Sequence, residues 1–195
     1  MTAAKRVRLS PEARREQLLE LGVQMLTTRT LEELSVEELA EQAGISRGLL
    51  FHYFRNKQEF HRAVVQRAAD ELVATTMPDS SLEPIPRLMA SVERYIDYVE
   101  ANYRSYLSLV RGAASGDDTL REIFDSTREV LTRRITDNLD VFGLTDGPTV
   151  RLAARGWTAM VEEMVILWVP ERPIPRAELL AALTASLPAV LGALR

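Results

Sequence analysis

The stretch between Ser35 and Lys57 restricts the fold most strongly, because helix-start and helix-stop signals follow one another there within a few residues. Ser35 and Glu38 have the spacing of a Ser-x-x-Glu capping box, which favours a helix start. Gly44 then stands where the end of a helix needs a positive φ. The pattern predicts a short helix over about 36–43.

A second short helix is predicted directly after this turn. Ser46 can cap it, and it extends over about 46–54. Asn56 and Glu59 then repeat the capping box and begin a long fourth helix. Two short helices joined by a tight turn have the layout of a helix-turn-helix, whose second helix lies in the major groove of DNA.

Helix signals continue along the rest of the chain, and no run of alternating β-branched residues indicates a strand. Ser10 followed by Pro11 favours the start of a first helix that ends near Thr28. Prolines between 78 and 86 predict a loop after the fourth helix. We therefore predict an all-α fold of about nine helices. The later helices are predicted to begin near Leu88, Tyr103, Asp117 or Asp118, Asp146 and Pro175, and to end near Asn102, Gly112, Gly143, Val169 and Leu194, with Pro188 bending or shortening the last.

Composition excludes several classes of function. The chain has no cysteine and two histidines, His52 and His61, so it offers no thiolate metal site or cysteine nucleophile and little for zinc. No glycine-rich phosphate loop or other catalytic constellation is visible. No apolar run approaches the roughly 18 residues that span a bilayer. We expect a cytoplasmic protein that is not an enzyme and needs neither metal nor cofactor.

The charge is distributed unevenly along the chain. The total is −4, which at face value disfavours nucleic acid as a partner. Residues 1–67 carry 11 basic and 9 acidic side chains, whereas residues 68–195 carry 13 and 19. The acidic character therefore belongs to the second part, and we predict a DNA-binding domain over 1–67 and a separate domain over 68–195.

The predicted second short helix has an inner and an outer face. Arg47, at its N-terminal end, can pair bidentately with a guanine edge, and Gly48 lets the backbone approach DNA closely. Tyr53 and Lys57 suit phosphate oxygens. The inward positions are Leu39, Ala40, Ala43, Ile45, Leu50 and Phe54. The candidate DNA contacts are Ser35, Ser46, Arg47, Gly48, Leu49, Phe51, His52, Tyr53 and Lys57.

These residues resemble the DNA-binding domain of the TetR/AcrR family of bacterial repressors. The family pattern has an Ala-x-x-Ala-Gly turn, here Ala40 to Gly44, and a recognition helix that ends in Tyr-x-x-Phe before Asn-Lys, here Asn56 and Lys57. Phe51 departs from the pattern, because the family often has Tyr there. The resemblance implies a tetracycline-repressor-like fold, in which the fourth helix joins a helix-turn-helix head to a helical ligand-binding and dimerisation domain.

The resemblance also implies a homodimer that places two recognition helices about 34–36 Å apart on a pseudo-palindromic operator. The last two helices are the expected interface, with a buried helix pair in a monomer as the alternative. Their apolar residues are Trp157, Met160, Val161, Met164, Val165, Trp168, Leu179, Leu180, Leu183, Leu187, Val190, Leu191 and Leu194. Helices five to eight are expected to enclose a small, largely apolar effector, with Tyr95, Tyr98, Tyr103, Tyr106, Phe124, Trp157, Met160 and Met164 as candidate contacts.

Several alternatives stay open on sequence alone. An activator of the same fold differs from a repressor only in where its operator lies. A helical enzyme, a ligand-binding protein without a DNA role and a sequence-tolerant DNA-packaging protein are less favoured, because catalytic groups are missing and the second part is acidic. The basic start, over 1–9, is either a solubilising tail or an arm that contacts phosphates or the minor groove.

Overall fold

The computed structural model describes residues 9–114 and 117–194, and within them the chain is all-α, as predicted. Among those residues no helix is both long and apolar enough to cross a membrane. The helices are α1 (Pro11–Leu26), α2 (Val36–Gln42), α3 (Arg47–Tyr53), α4 (Lys57–Thr75), α5 (Pro84–Ala101), α6 (Tyr103–Ala114), α7 (Asp118–Thr136), α8 (Pro148–Glu171) and α9 (Arg176–Gly192), with a short 3₁₀ helix, Leu139–Phe142, after α7.

Side-chain caps fix where the first four helices begin. Ser10 Oγ accepts from the Ala13 N–H at 3.1 Å, and Asn56 Oδ1 accepts from the Glu59 N–H at 2.8 Å. The hydroxyls of Ser35 and Ser46 cap α2 and α3 in the same way. Each cap satisfies an N–H that has no partner inside its helix, so the predicted starts are confirmed.

The turn between α2 and α3 depends on Gly44, which has a φ of 64°. An L side chain is strained at this φ, so the predicted role of this glycine is confirmed. The capping box at Ser35 is only half formed. The Glu38 carboxylate does not return to Ser35 but forms a bidentate ion pair with Arg29 in the α1–α2 connection, because a guanidinium is a stronger partner than a backbone N–H.

The first apolar core, which we call the head core, lies between α1, α2, α3 and the first half of α4. Phe54 and Phe60 are fully buried there, with their ring centroids 5.1 Å apart in an edge-on arrangement. Of the predicted inward positions, Ala43 and Ile45 are only half-buried. The head core also includes Ala113, Leu120 and Ile123 from the second half of the chain, together with Leu18, Leu19, Met25, Leu26, Leu31, Leu34, Val36, Leu39, Ala40, Leu50, Val64 and Val65.

The second core, which we call the body core, lies between α5, α8 and α9 and is closed by α6 and α7. Its buried residues are Leu72, Val92, Tyr95, Ile96, Val99, Tyr106, Ile135, Leu139, Val150, Ala154, Trp157, Val161, Val165, Ile166, Trp168, Leu179, Leu183, Leu187 and Leu191. Since α4 contributes Phe60 and Val64 to the head core and Leu72 to the body core, one helix is shared by both.

Several predicted helix boundaries in the second half of the chain are wrong. Gly112 does not end α6, which reaches Ala114, and α7 stops at Thr136 before the separate 3₁₀ helix. Asp146 does not cap α8 but pairs with Arg151. Such errors arise because tertiary packing, and not only local sequence, decides where a helix ends.

Pro170 and Pro188 lie inside α8 and α9, whereas the sequence predicted that α8 ends before Pro170 and that Pro188 bends or shortens α9. Pro170 lies in the last turn of α8, where it cannot donate to the carbonyl of Ile166. The Tyr103 hydroxyl donates to that carbonyl instead, at 3.2 Å. Around Pro188, α9 continues because Leu187 and Leu191 are both buried in the body core. Burial on both sides of the proline thus outweighs the lost hydrogen bond.

Candidate nucleic-acid interface and internal cavity

The outer face of α3 is exposed as the sequence predicts. Arg47, Gly48, Leu49 and His52 are exposed, and Ser46 is exposed at the cap. The buried Leu50, on the opposite face, holds α3 against the head core. This places a short helix with a free outer surface at one end of the molecule, which is the geometry that a major groove can accept.

Arg47 is held by two neighbours. Its Nη1 lies 3.0 Å from Glu37 Oε1, and its guanidinium carbon lies 5.5 Å from the centre of the Phe51 ring. The side chains of Arg47 and Glu37 are 64% and 60% exposed, and exposed pairs of this kind contribute little energy. Arg47 can therefore leave Glu37 for a base edge or a phosphate at small cost.

Three other candidate contacts are more enclosed than the sequence suggests. Ser35, Phe51 and Tyr53 are half-buried, and the two rings pack against the head core. Their rings therefore orient α3, and Phe51 also supports the Arg47 guanidinium. Lys57 is exposed at the first turn of α4, where helix N–H groups also favour an anion. Residues 1–8, which include most of the predicted basic arm, lie outside the described residues.

A cavity of about 200 Å³ lies between α4, α5, α6, α7 and α8. Its walls are mainly aliphatic and aromatic, which suits an apolar ligand. Of the predicted ligand contacts, those that line the cavity are Tyr95, Tyr98, Tyr106, Phe124 and Trp157. Whether they bind a ligand stays a prediction.

The expectation that Tyr103, Met160 and Met164 also line the cavity is wrong. The Tyr103 hydroxyl is bonded to α8 backbone, and the two methionines are half-buried and pack against the body core without lining the cavity. A helix presents only part of its circumference to a cavity, and the sequence does not show which part.

The sequence reasoning also missed the contribution of α4 to the cavity. Val65, Ala68, Ala69 and Leu72 line it, and Thr76 lies at its end. These positions have an apolar helical spacing, but the sequence predicts a cavity enclosed by helices five to eight alone. The cavity wall and the head therefore share one helix.

A chain of polar groups lies in the otherwise apolar wall. The hydroxyls of Tyr95 and Tyr106 are 2.8 Å apart, and the Tyr106 hydroxyl donates to Glu162 Oε2 at 3.3 Å. Glu162 also forms an ion pair with Arg128, and the two side chains are only 13% and 19% exposed. Arg128 lies over the Phe124 ring, with its guanidinium carbon 4.3 Å from the centre.

Burial shifts the ionisation of this chain. Burial raises the pKa of Glu162, and the neighbouring Arg128 opposes that shift by stabilising the carboxylate. Burial also raises the pKa of Tyr95 and of Tyr106, so both hydroxyls keep their protons at neutral pH. The described residues contain no group of three or more His, Cys, Asp or Glu side chains arranged to hold a metal ion.

Two family models match the chain, one over the helices of the head and one over the later helices. The model described as "Bacterial regulatory proteins, tetR family" matches residues 18–64. The model described as "Tetracyclin repressor-like, C-terminal domain" matches residues 84–190, which is more than half of the chain. The chain belongs to the TetR family. The fold and family of this TetR-family protein are those of transcriptional regulators that bind DNA.

Individual relatives agree with this assignment. A TetR-family regulator of known structure from Streptomyces coelicolor is 33% identical, with a TM-score of 0.82, over 96% of this chain and 85% of its own. The transcriptional activator FasR of Mycolicibacterium smegmatis is 25% identical over 87% of this chain and 78% of its own. The repressor KstR2 of the same organism is 25% identical over 70% of this chain and 68% of its own.

Proposed function

We propose that this DNA-binding regulator is a homodimeric repressor, released from a pseudo-palindromic operator by a small, largely apolar effector that enters the cavity. The observation that carries the proposal is that α4 lines the cavity with Val65, Ala68 and Leu72 and also anchors the head core through Phe60 and Val64. A ligand that moves α4 therefore changes the position of α3.

The end of α4 is fastened to the opposite cavity wall. Arg134 of α7 donates to the carbonyls of Val73, at 2.7 Å, and Thr76, at 2.9 Å. Arg134 and Thr76 both line the cavity. A ligand that fits one position of α4 and α7 better than another shifts the protein toward that position, and this difference in affinity is what drives release.

We place the dimer interface on the outer faces of α8 and α9. Leu152 and Leu167 are 73% and 61% exposed, and helical spacing places them on one side of α8 with Gly156 and Glu163. The exposed positions of α9 include a set of small residues, Ala181, Ala182, Ala185 and Ala189. Exposed leucines beside small residues allow two helix pairs to approach closely, as an isologous interface requires.

This placement changes which residues are assigned to the interface. Trp157, Val161, Trp168, Leu183 and Leu187, which the sequence offered as surplus apolar surface, are buried in the body core of the same chain. Leu152 and Leu167 are not in that set, although both are exposed on α8.

Operator binding can be tested with DNA from the promoter region of the protein's own gene. We expect Arg47→Ala to weaken operator binding by about 1–3 kcal/mol, because a bidentate base contact is lost. The loss should be smaller on random DNA of the same length. Arg133→Ala, which removes an exposed cation from α7, is the control. Gel-shift titrations at one fixed salt concentration give both affinities, and unchanged affinity of Arg47→Ala on every sequence contradicts base reading by Arg47.

Activation is the second candidate, because one relative is named an activator and another a repressor. In vitro transcription from the same promoter separates the two. A repressor lowers transcript yield as the protein concentration rises, and an activator raises it.

A further inference from the structure

Two buried polar atoms without a hydrogen-bond partner belong to residues that line the cavity. They are Ser91 Oγ on α5 and Arg128 Nε on α7, and within residues 9–114 and 117–194 they are the only such buried side-chain atoms. Both residues line the same cavity. Buried polar groups in native proteins are almost always hydrogen-bonded. Both atoms are covered by neighbouring side chains, so a ligand in the cavity can supply the missing partners once those side chains shift.

The two atoms differ in the hydrogen-bonding groups of a ligand with which they can pair. Arg128 Nε–H can only donate, so the ligand must present an acceptor atom to it. The Ser91 hydroxyl can donate or accept, so it pairs with a carbonyl, an ether or a hydroxyl oxygen. A purely hydrocarbon ligand leaves both atoms unsatisfied.

Charge balance at the polar wall disfavours a charged ligand. Arg128 is already neutralised by Glu162, so an anion beside the guanidinium also meets the carboxylate, and a cation beside the carboxylate also meets the guanidinium.

Two further arginines, Arg87 and Arg134, line the cavity, but both guanidinium groups already donate to acceptors of the protein. Arg87 donates to the carbonyls of Leu82 and Ser80 and to Asn138 Oδ1. Arg134 donates to carbonyls at the end of α4. Binding an anion there requires these bonds to break.

We infer that the effector is an uncharged, mainly apolar molecule that places one acceptor oxygen on Arg128 Nε and a second oxygen on Ser91 Oγ. This inference rests on the proposed function, because it takes the occupant of the cavity to be the effector. The volume of about 200 Å³ lies below the roughly 300–1,000 Å³ of typical ligand pockets, so the effector is compact.

A matched set of probes tests the chemical class. The probes are methyl octanoate, octanoate, octylammonium and octane, which share one chain length but differ in charge and oxygens. Binding is followed by the fluorescence of Trp157, which lines the cavity. We expect methyl octanoate to bind most tightly. Equal or tighter binding of either ion, or no binding by any probe, overturns the inference.

Ser91→Ala tests the residue assignment. We expect it to weaken methyl octanoate binding by about 3- to 10-fold through loss of one hydrogen bond, and to leave unfolding stability unchanged or raised. Ser105→Ala is the control, because the buried Ser105 hydroxyl donates to the Asn102 carbonyl at 2.8 Å. It should lower stability and preserve probe binding. Wild-type affinity in Ser91→Ala overturns the assignment.

Arg128→Lys gives a second variant, since it keeps a positive charge beside Glu162 but removes Nε. We expect the same weakening for methyl octanoate, and wild-type affinity overturns the role of Nε. Operator gel shifts with the ester separate this inference from the proposed function. If methyl octanoate binds as expected but does not release the DNA, the proposed release by an effector is wrong and the inferred chemical class is retained. If Arg47 reads the operator but octanoate binds most tightly, the inferred uncharged class of ligand is wrong and the proposed DNA binding is retained.

Discussion

At the scale of single residues, close contacts decide which positions tolerate change. Gly22 on α1 is buried against α4, and a Cβ added there would lie 2.6 Å from Val64 Cγ2 and 3.3 Å from Phe60 Cζ. A Cβ added at Gly48 meets nothing closer than Ser46 Oγ, at 3.9 Å. The same substitution therefore has opposite consequences at the two glycines.

We expect Gly22→Ala to destabilise the protein by about 1–3 kcal/mol, because it overpacks the crossing of α1 and α4. Gly48→Ala should be neutral or stabilising by up to about 1 kcal/mol, because alanine favours a helix. Urea unfolding followed by circular dichroism measures both. If Gly22→Ala is as stable as wild type, the close approach of the two helices is not as described.

His61 gives the stability of the head a pH dependence. Its Nε2 lies 3.2 Å from the Leu34 carbonyl. Burial lowers its pKa below the ordinary value of 6.5, and nearby Lys57 adds to this, whereas the Leu34 carbonyl and Glu32 oppose it. Since the unfolded chain then binds the proton more tightly, stability should fall as the pH drops below about 6.5 and level off below the folded pKa.

The measurement is the free energy of unfolding between pH 7.5 and 5.5. We expect His61→Gln to reduce the slope in this range, because glutamine keeps a polar group near Leu34 but does not titrate. His52→Gln, at an exposed position on α3, is the matched control, because it removes the same type of side chain outside the head core. An equal slope in His61→Gln and wild type assigns the pH dependence to other groups.

At the scale of helices, the sequence predicted starts better than ends. Ser10, Ser46 and Asn56 act on N–H groups three residues away, so their effect is visible locally. The partner of Glu38 could not be predicted, because Arg29 reaches it from another element. The continuation of α9 past Pro188 depends on burial of Leu187 in a core built from distant helices.

The candidate sites could likewise be predicted only where their signals are local in the sequence. The exposed face of α3 could be predicted, because a short helix with a buried Leu50 leaves few ways to orient its other side chains. The cavity lining could be predicted only in part, because the sides of α4 and α8 that face the cavity are set by how the helices cross. Ser91 gave no signal at all, because one serine on an amphipathic helix is unremarkable.

The joint between α4 and α7 can be tested at this scale. We expect Arg134→Ala to lower stability by about 2 kcal/mol, because charge-assisted bonds to Val73 and Thr76 are lost. Arg133→Ala is the neighbouring control and should change stability by less than about 0.5 kcal/mol, since Arg133 is exposed. Thermal unfolding of the two variants gives the comparison, and equal losses mean that the bonds do not secure α4.

At the scale of the whole molecule, the proposed homodimer can be tested through its effect on operator binding. We expect Leu152→Glu combined with Leu167→Glu to shift the protein toward monomer, because two charges enter an apolar interface. Operator affinity should fall with it, since one head alone reads a single half-site. Size-exclusion chromatography with light scattering measures the mass.

Ile85→Glu is the control for this double variant. Ile85 is 43% exposed in the first turn of α5, away from the proposed interface, so the mass should stay that of wild type. A double variant that remains dimeric places the interface elsewhere on the molecule.

The sharing of α4 and of Ala113, Leu120 and Ile123 between the two halves limits how such regulators can be recombined. A hybrid that joins this head to the body of a relative at residue 67 removes Ala113, Leu120 and Ile123 from the head core. Its head would then expose apolar surface unless the corresponding ends of α6 and α7 were transferred too. The unit that can be exchanged is therefore discontinuous in sequence, although the candidate DNA contacts all lie in one continuous segment.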